Sequence, residues 1–231
     1  MEVAARRFDR FSAHYAKLNA MQKAIAKELM SAVDYAPKRV LDLGCGEGAI
    51  WRQISWNVDL FVAVDAAASM IKLHPSGDNV RKEPIDFNDA IALARLAVFS
   101  PFDLIASSCS LQWADDLGKT LEAIAPFGGK IAFALFTDKT LETLRDLSGA
   151  QTPLLSYQAA SEIISRYFDA RFWRKSYLLE FVSKREMFSY IRKSGIGGGK
   201  AKLSVAETKR LIANYPNAKL EYETLFAIGG F

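Results

Sequence analysis

The sequence predicts an α/β fold: a doubly wound, mostly parallel seven-stranded sheet with an antiparallel hairpin at one edge and an N-terminal helical arm serving as a lid. Three observations carry this. Strand-like apolar runs alternate with helical stretches, the rhythm of a parallel sheet with crossover helices. Two runs, Leu60-Phe61-Val62-Ala63-Val64 and Ile131-Ala132-Phe133-Ala134-Leu135-Phe136, are apolar throughout, as strands covered on both faces require. The first strand runs straight into three glycines at alternate positions, Gly44, Gly46 and Gly48, where backbone must turn sharply.

The elements follow in order. Residues 4–33 place Phe8, Phe11, Tyr15, Leu18, Met21 and Ile25 on one helical stripe, and Pro37 ends this arm. Strands are predicted at 39–43, 60–64, 80–84, 102–107 and 130–136, with helical stretches between them. Residues 49–54, directly after the glycines, read as a helix whose free N–H groups would meet a ligand. Past residue 140 the rhythm changes: helical patterns at 159–168, 185–193 and 205–215 interrupt strands at 176–182 and 219–228. The last strand alternates Leu220, Tyr222, Thr224 and Phe226 with Glu221 and Glu223, a pattern that suits a place nearer the sheet edge. Residues 195–199 form a glycine-rich loop. We read 1–36 as arm, 37–136 as ligand-binding core and 137–231 as a substrate-side half, all within one domain.

Composition narrows the function classes. With 50% hydrophobic and 24% charged residues the chain is neither disordered nor membrane-spanning, and residues 1–7 lack the apolar run of a secretory signal. Its 2 cysteines have no CxxC spacing, which suits a reduced, cytoplasmic setting; with only 2 histidines, no metal site is expected. Of the 30 Lys and Arg, 13 fall after residue 165 against 6 of the 26 Asp and Glu, so the C-terminal third is basic and suited to an acidic partner.

The candidate site lies at the strand ends, where open parallel sheets bind ligands. The loop Gly44-Cys45-Gly46-Glu47-Gly48 lacks the lysine of a phosphate loop and the spacing of a dinucleotide fingerprint. Asp42 precedes it, so the ligand expected is a small nucleoside without pyrophosphate. Asp65 ends the second strand, where a carboxylate suits ribose hydroxyls. Asp86-Phe87 follows the third, suiting an exocyclic amine and a base, and Ser107-Ser108-Cys109 ends the fourth. An Asp after a strand is commonly a turn former, but polar residues at four successive strand ends argue for a site. Cys45 has no base partner in view and reads as a small loop residue rather than a nucleophile.

The stretch Leu41-Asp42-Leu43-Gly44-Cys45-Gly46-Glu47-Gly48, then Asp65, then Asp86-Phe87, resembles the first three motifs of class I S-adenosylmethionine-dependent methyltransferases, and Pro126-Phe127-Gly128-Gly129-Lys130 resembles their later turn. The arm Phe8-Asp9-Arg10-Phe11-Ser12-Ala13-His14-Tyr15, the turn Ser110-Leu111-Gln112-Trp113 and the segments 191–195 and 220–226 resemble the malonyl-acyl-carrier-protein O-methyltransferases of biotin synthesis. Ser108 stands where that family usually has asparagine, and Arg192 where lysine is common. The resemblance implies S-adenosylmethionine as cofactor, with S-adenosylhomocysteine as product. It implies cofactor contacts from Asp42, Gly44, Cys45, Gly46, Gly48, Asp65, Ala66, Met70, Asp86, Phe87 and Ser108. Tyr15 would close over the cofactor, Gln112 would shape the acyl pocket and Arg192 would pair with the substrate carboxylate. The implied acceptor is a malonyl group on acyl carrier protein or coenzyme A, with no nucleic acid or membrane partner. A carboxylate is already ionised at neutral pH, so its methylation needs approach geometry rather than a general base. Two alternatives remain: a methyltransferase of another small acid such as trans-aconitate, whose family shares the Gln-Trp pair, and a cofactor-binding accessory protein without catalysis.

Overall fold

The computed structural model describes residues 20–194 and 205–230. The helical arm before residue 20, with Phe8, Phe11 and Tyr15, and the 195–199 loop lie outside them. Helix α1 (Ala20–Ser31) leads into β1 (Arg39–Leu43), β2 (Leu60–Val64), α2 (Ala68–Leu73), β3 (Val80–Glu83), α3 (Ala90–Ala94), β4 (Leu104–Ser108), α4 (Leu117–Ile124) and β5 (Lys130–Phe136). Then come α5 (Glu142–Ser148), α6 (Tyr157–Ser165), β6 (Ala170–Glu180), α7 (Lys184–Ser194), α8 (Val205–Asn214) and β7 (Lys219–Gly229). The strands form one 7-stranded sheet in the order β3-β2-β1-β4-β5-β7-β6. The first five are parallel; β7 runs antiparallel to both β5 and β6.

The expected architecture is therefore present, and the apolar strands explain it. Side chains of alternate parity on β1, β2 and β5 feed two cores, one on each face of the sheet. Ile25, Leu29 and Met187 from α1 and α7 fill one face; Leu93, Leu121 and Ile164 from α3, α4 and α6 fill the other. No helix among the described residues is long and apolar enough to cross a membrane.

Two expectations are corrected. Residues 49–54 do not form an α-helix: turns lead to a single 3-10 turn, Trp51–Gln53, and the chain then descends in non-helical form to β2. Ile50, Trp51, Ile54, Trp56 and Val58 are mediocre helix formers. Trp56 instead anchors the descent, donating from Nε1 to the Pro37 carbonyl at 2.9 Å. The second correction concerns the start of β6; β7 stands next to the sheet edge, as expected, between β5 and β6. Its Glu221 and Glu223 extend past the end of β5 and bind the following loop: Glu223 accepts from Thr137 Oγ1 at 2.7 Å, and Glu221 accepts the Thr143 N–H. β6 is the true edge and starts at Ala170, earlier than predicted, because exposed Arg171, Arg174 and Lys175 break its apolar pattern.

Candidate functional site

β1 and β4 are neighbours whose crossovers leave in opposite directions, which opens a crevice beyond their C-terminal ends. The glycine loop fills one side of it. Gly44 and Cys45 both donate backbone N–H bonds to the Val64 carbonyl, at 2.7 and 2.8 Å, folding the loop over the end of β2. Gly44 has φ +73°, and a Cβ there would fall 1.7 Å from Ser110 Oγ, so the turn after β4 presses directly on the loop. Gly48, with φ +89°, is backed by Pro75 and by the buried His74.

Asp65 does not stand free at the end of β2. Its Oδ2 accepts the Gly46 N–H at 2.9 Å and its Oδ1 the Ala67 N–H at 2.8 Å, so the carboxylate clasps the glycine loop to the start of α2. A carboxylate offers about four acceptor positions, so ribose hydroxyls remain compatible with this clasp. Ala66 beside it is exposed, and Met70 is buried on α2, with its methyl 3.5 Å from where a Cβ on Gly46 would lie.

Asp42 is the most unusual group. It is 1% exposed, and among the described residues neither carboxylate oxygen has a hydrogen-bond partner. Burial, reinforced by the neighbouring charge of Asp65, raises its pKa well above the ordinary carboxylate range. A buried acid held beside a second acid and an open crevice is prepared for a cationic ligand atom. Burial likewise raises the Cys45 thiol, followed by repulsion from Asp42 and Asp65, and its side chain joins the core; it is no nucleophile.

On the far wall, Asp86 Oδ1 accepts from the Asn88 backbone N–H at 2.9 Å and from its Nδ2 at 3.1 Å. Asn88 Oδ1 in turn accepts the Asp115 N–H at 2.6 Å, tying the end of β3 to the segment after β4. Phe87 packs into the core rather than standing open. Ser108 ends β4 half-buried, and Gln112 sits in the 3-10 turn Leu111–Trp113 with Nε2 donating to the Cys109 carbonyl at 2.7 Å. Gln112 Oε1 is buried without a partner. The structure thus gathers the glycine loop, Asp42, Asp65, Met70, Asp86, Ser108 and Gln112 at one end of the sheet. Arg192 is exposed on α7, and Tyr15 lies outside the described residues.

Three further residues serve the site without having been singled out from sequence. Ser107, fully buried in β4, donates to the Leu43 carbonyl at 2.8 Å and secures the strand end just before Gly44. The serine pair that interrupts the apolar run after Leu104-Ile105-Ala106 was the available signal. Ser110 supplies the surface against Gly44. Glu47 is buried and pairs with Lys23 on α1 at 3.3 Å, joining the loop to the base of the arm; nothing in local sequence pairs these two.

Comparison with known proteins agrees with this geometry. Residues 13–177 match the family described as methyltransferase domain. A malonyl-[acyl-carrier protein] O-methyltransferase of Chlorobium luteolum is 28% identical over 204 residues, covering 82% of this chain and 77% of that one. A trans-aconitate 2-methyltransferase of Streptomyces avermitilis is 25% identical over 213 residues, with coverages of 80% and 77%. Among solved structures, the YcgJ protein of Bacillus subtilis superposes with a TM-score of 0.59 at 16% identity, covering 94% of this chain and 100% of its own, a likeness of fold.

Proposed function

The chain belongs to the methyltransferase-domain family, with S-adenosylmethionine as methyl donor, and from that premise we propose that it methylates the free carboxylate of a malonyl thioester on acyl carrier protein. The observation that carries this reading is similarity to malonyl-[acyl-carrier protein] O-methyltransferases over 82% of the chain, well beyond the cofactor-binding half. The site chemistry agrees with it. Beside the glycine loop the described residues offer hydrogen-bonding and positioning groups, and a carboxylate acceptor requires no general base.

In this reading the glycine loop approaches the methionine and ribose parts of the cofactor, and Asp42 meets its positive charge. Asp65 takes the ribose hydroxyls, with Ala66 beside it. Met70 packs on adenine, while Asp86 and Phe87 border its edge. Ser108 and Gln112 line the path to the acceptor, Tyr15 closes the arm over it, and Arg192 at the surface first captures the acceptor's charge. Methylation neutralises a carboxylate that would be costly to bury in an apolar pocket downstream. A second reading, a small free diacid as acceptor, is favoured by the trans-aconitate 2-methyltransferase relative. Radiolabelled methyl transfer from S-adenosylmethionine to malonyl-acyl carrier protein, malonyl-coenzyme A and free trans-aconitate, run side by side, separates them. Label on the carrier-bound malonyl group alone is expected; label on trans-aconitate alone would reject the first reading.

A further inference from the structure

Beyond the cofactor crevice, on the face of the sheet covered by α1 and α7, the strands β5, β7 and β6 carry an aromatic floor holding buried hydroxyls. The ladder sets Thr224 of β7 between Phe136 of β5 and Lys175 of β6, and sets Tyr222 opposite Tyr177 of β6. Around them Phe136 and Tyr222 have ring centroids 5.5 Å apart, and Trp173 stacks on Phe226 at 5.0 Å. Tyr190 from α7 is buried in the same core as Tyr222. Thr224 is 0% exposed, yet among the described residues its Oγ1 has no hydrogen-bond partner, and neither has the buried Tyr177 hydroxyl. Lys175 lies beside this floor, its ammonium 5.5 Å from the centre of the Tyr177 ring and neutralised by a bond to Glu28 of α1 at 2.7 Å.

A strand chosen only for stability would carry valine at 224, which has the same shape and leaves no hydroxyl unpaired. The position is informative as well. Thr224 pairs with Phe136, the last residue of β5, so both hydroxyls lie at the C-terminal end of the parallel strands, where the cofactor crevice opens. Tyr177 is within electrostatic reach of Glu28 on α1 and, after it, of Cys109, which follows β4 and donates its N–H to the Ala134 carbonyl at 2.8 Å.

We propose that Thr224 and Tyr177 are acceptor-binding residues, whose hydroxyls donate to one oxygen of the substrate carboxylate and turn its other oxygen toward the methyl group. This rests on the carboxyl-methylation reading above. The free oxygen forms the new O–CH3 bond as the CH3–S bond breaks, and that bond's electron pair stays on sulfur. Carboxylate and sulfonium charges cancel, giving a neutral ester and a neutral thioether, and no proton moves. Neutral donors suit this step better than a cation, which would draw charge from the attacking oxygen. Burial raises the Tyr177 phenol, so it remains a protonated donor.

The test compares Thr224→Val, Thr224→Ser and Tyr177→Phe with the wild type for methylation of malonyl-acyl carrier protein, S-adenosylhomocysteine binding and thermal unfolding. Loss of either hydroxyl should raise the acceptor KM about tenfold or more, since each bond is to a charged group. S-adenosylhomocysteine affinity should hold, Thr224→Val should unfold at the same or a higher temperature, and Thr224→Ser should keep wild-type KM. A wild type that methylates the carrier-bound carboxylate while both hydroxyl-deleted variants match its kinetics would overturn the inference alone. So would an equal loss of S-adenosylhomocysteine affinity, the mark of a merely structural role. A wild type that methylates no carboxylate would overturn the proposed function, and this inference with it.

Discussion

Asp42 shows how a single residue acquires its meaning. It shares the parity of Val40 on β1 and so points toward the face covered by α1, where the fold gives it no partner. Its raised pKa means that the folded protein holds this proton more tightly than the unfolded chain. The stability it contributes is present below the ordinary carboxylate pKa and is lost as pH rises from there through the raised folded value. Asp42→Asn should therefore flatten that slope and raise the Tm of the free protein at neutral pH. It should also weaken S-adenosylhomocysteine binding by about tenfold or more, the scale of a lost bond to a charged group. Calorimetry in buffers of different ionisation enthalpy should detect proton release on binding by the wild type and none by the variant. Gly44 is constrained in another way: Gly44→Ala meets Ser110 at 1.7 Å and adds about 1–2 kcal/mol for its left-handed backbone. It should lower Tm and abolish cofactor binding, and Ser110→Gly in the same chain should recover only part of the loss.

Among the elements, the predicted strands β1, β2 and β5 have the observed bounds, because each is a largely apolar run bounded by turn residues, broken inside β1 only by Asp42. The connections were harder to read. The segment after Gly48 has the apolar spacing of a helix but is held by contacts from outside itself, such as Trp56 to Pro37. The alternation of β7 was legible, yet its glutamates do not face water at a sheet edge; they brace the loop through Thr137 and Thr143. Helix α1 is joined to the glycine loop by Lys23 and Glu47, which ties the base of the arm to the site. Lys23→Met should loosen that joint at a cost of roughly 1 kcal/mol, as expected for a pair with one partner half in water. A several-fold weaker S-adenosylhomocysteine affinity with a small fall in Tm is the expected readout.

For the whole molecule, the excess of positive charge after residue 165 places exposed Arg185 on α7 and exposed Lys209 and Arg210 on α8, helices that pack together. Reversing these three charges should raise the KM for carrier-bound substrate, most at low salt, and leave S-adenosylhomocysteine binding unchanged. Unaltered kinetics across a salt series would remove the steering role. Sequence alone determined the α/β class, the strand–glycine–turn at the candidate site, and the carboxylates at successive strand ends. Those features rest on apolar runs and glycines acting within a few residues. Only the tertiary structure decided that β7 lies inside β6, that Ser110 closes on Gly44, and that Asp42 and Thr224 are buried without partners. These depend on pairings between distant segments, such as Thr137 with Glu223 across 86 residues, which local chemistry does not encode.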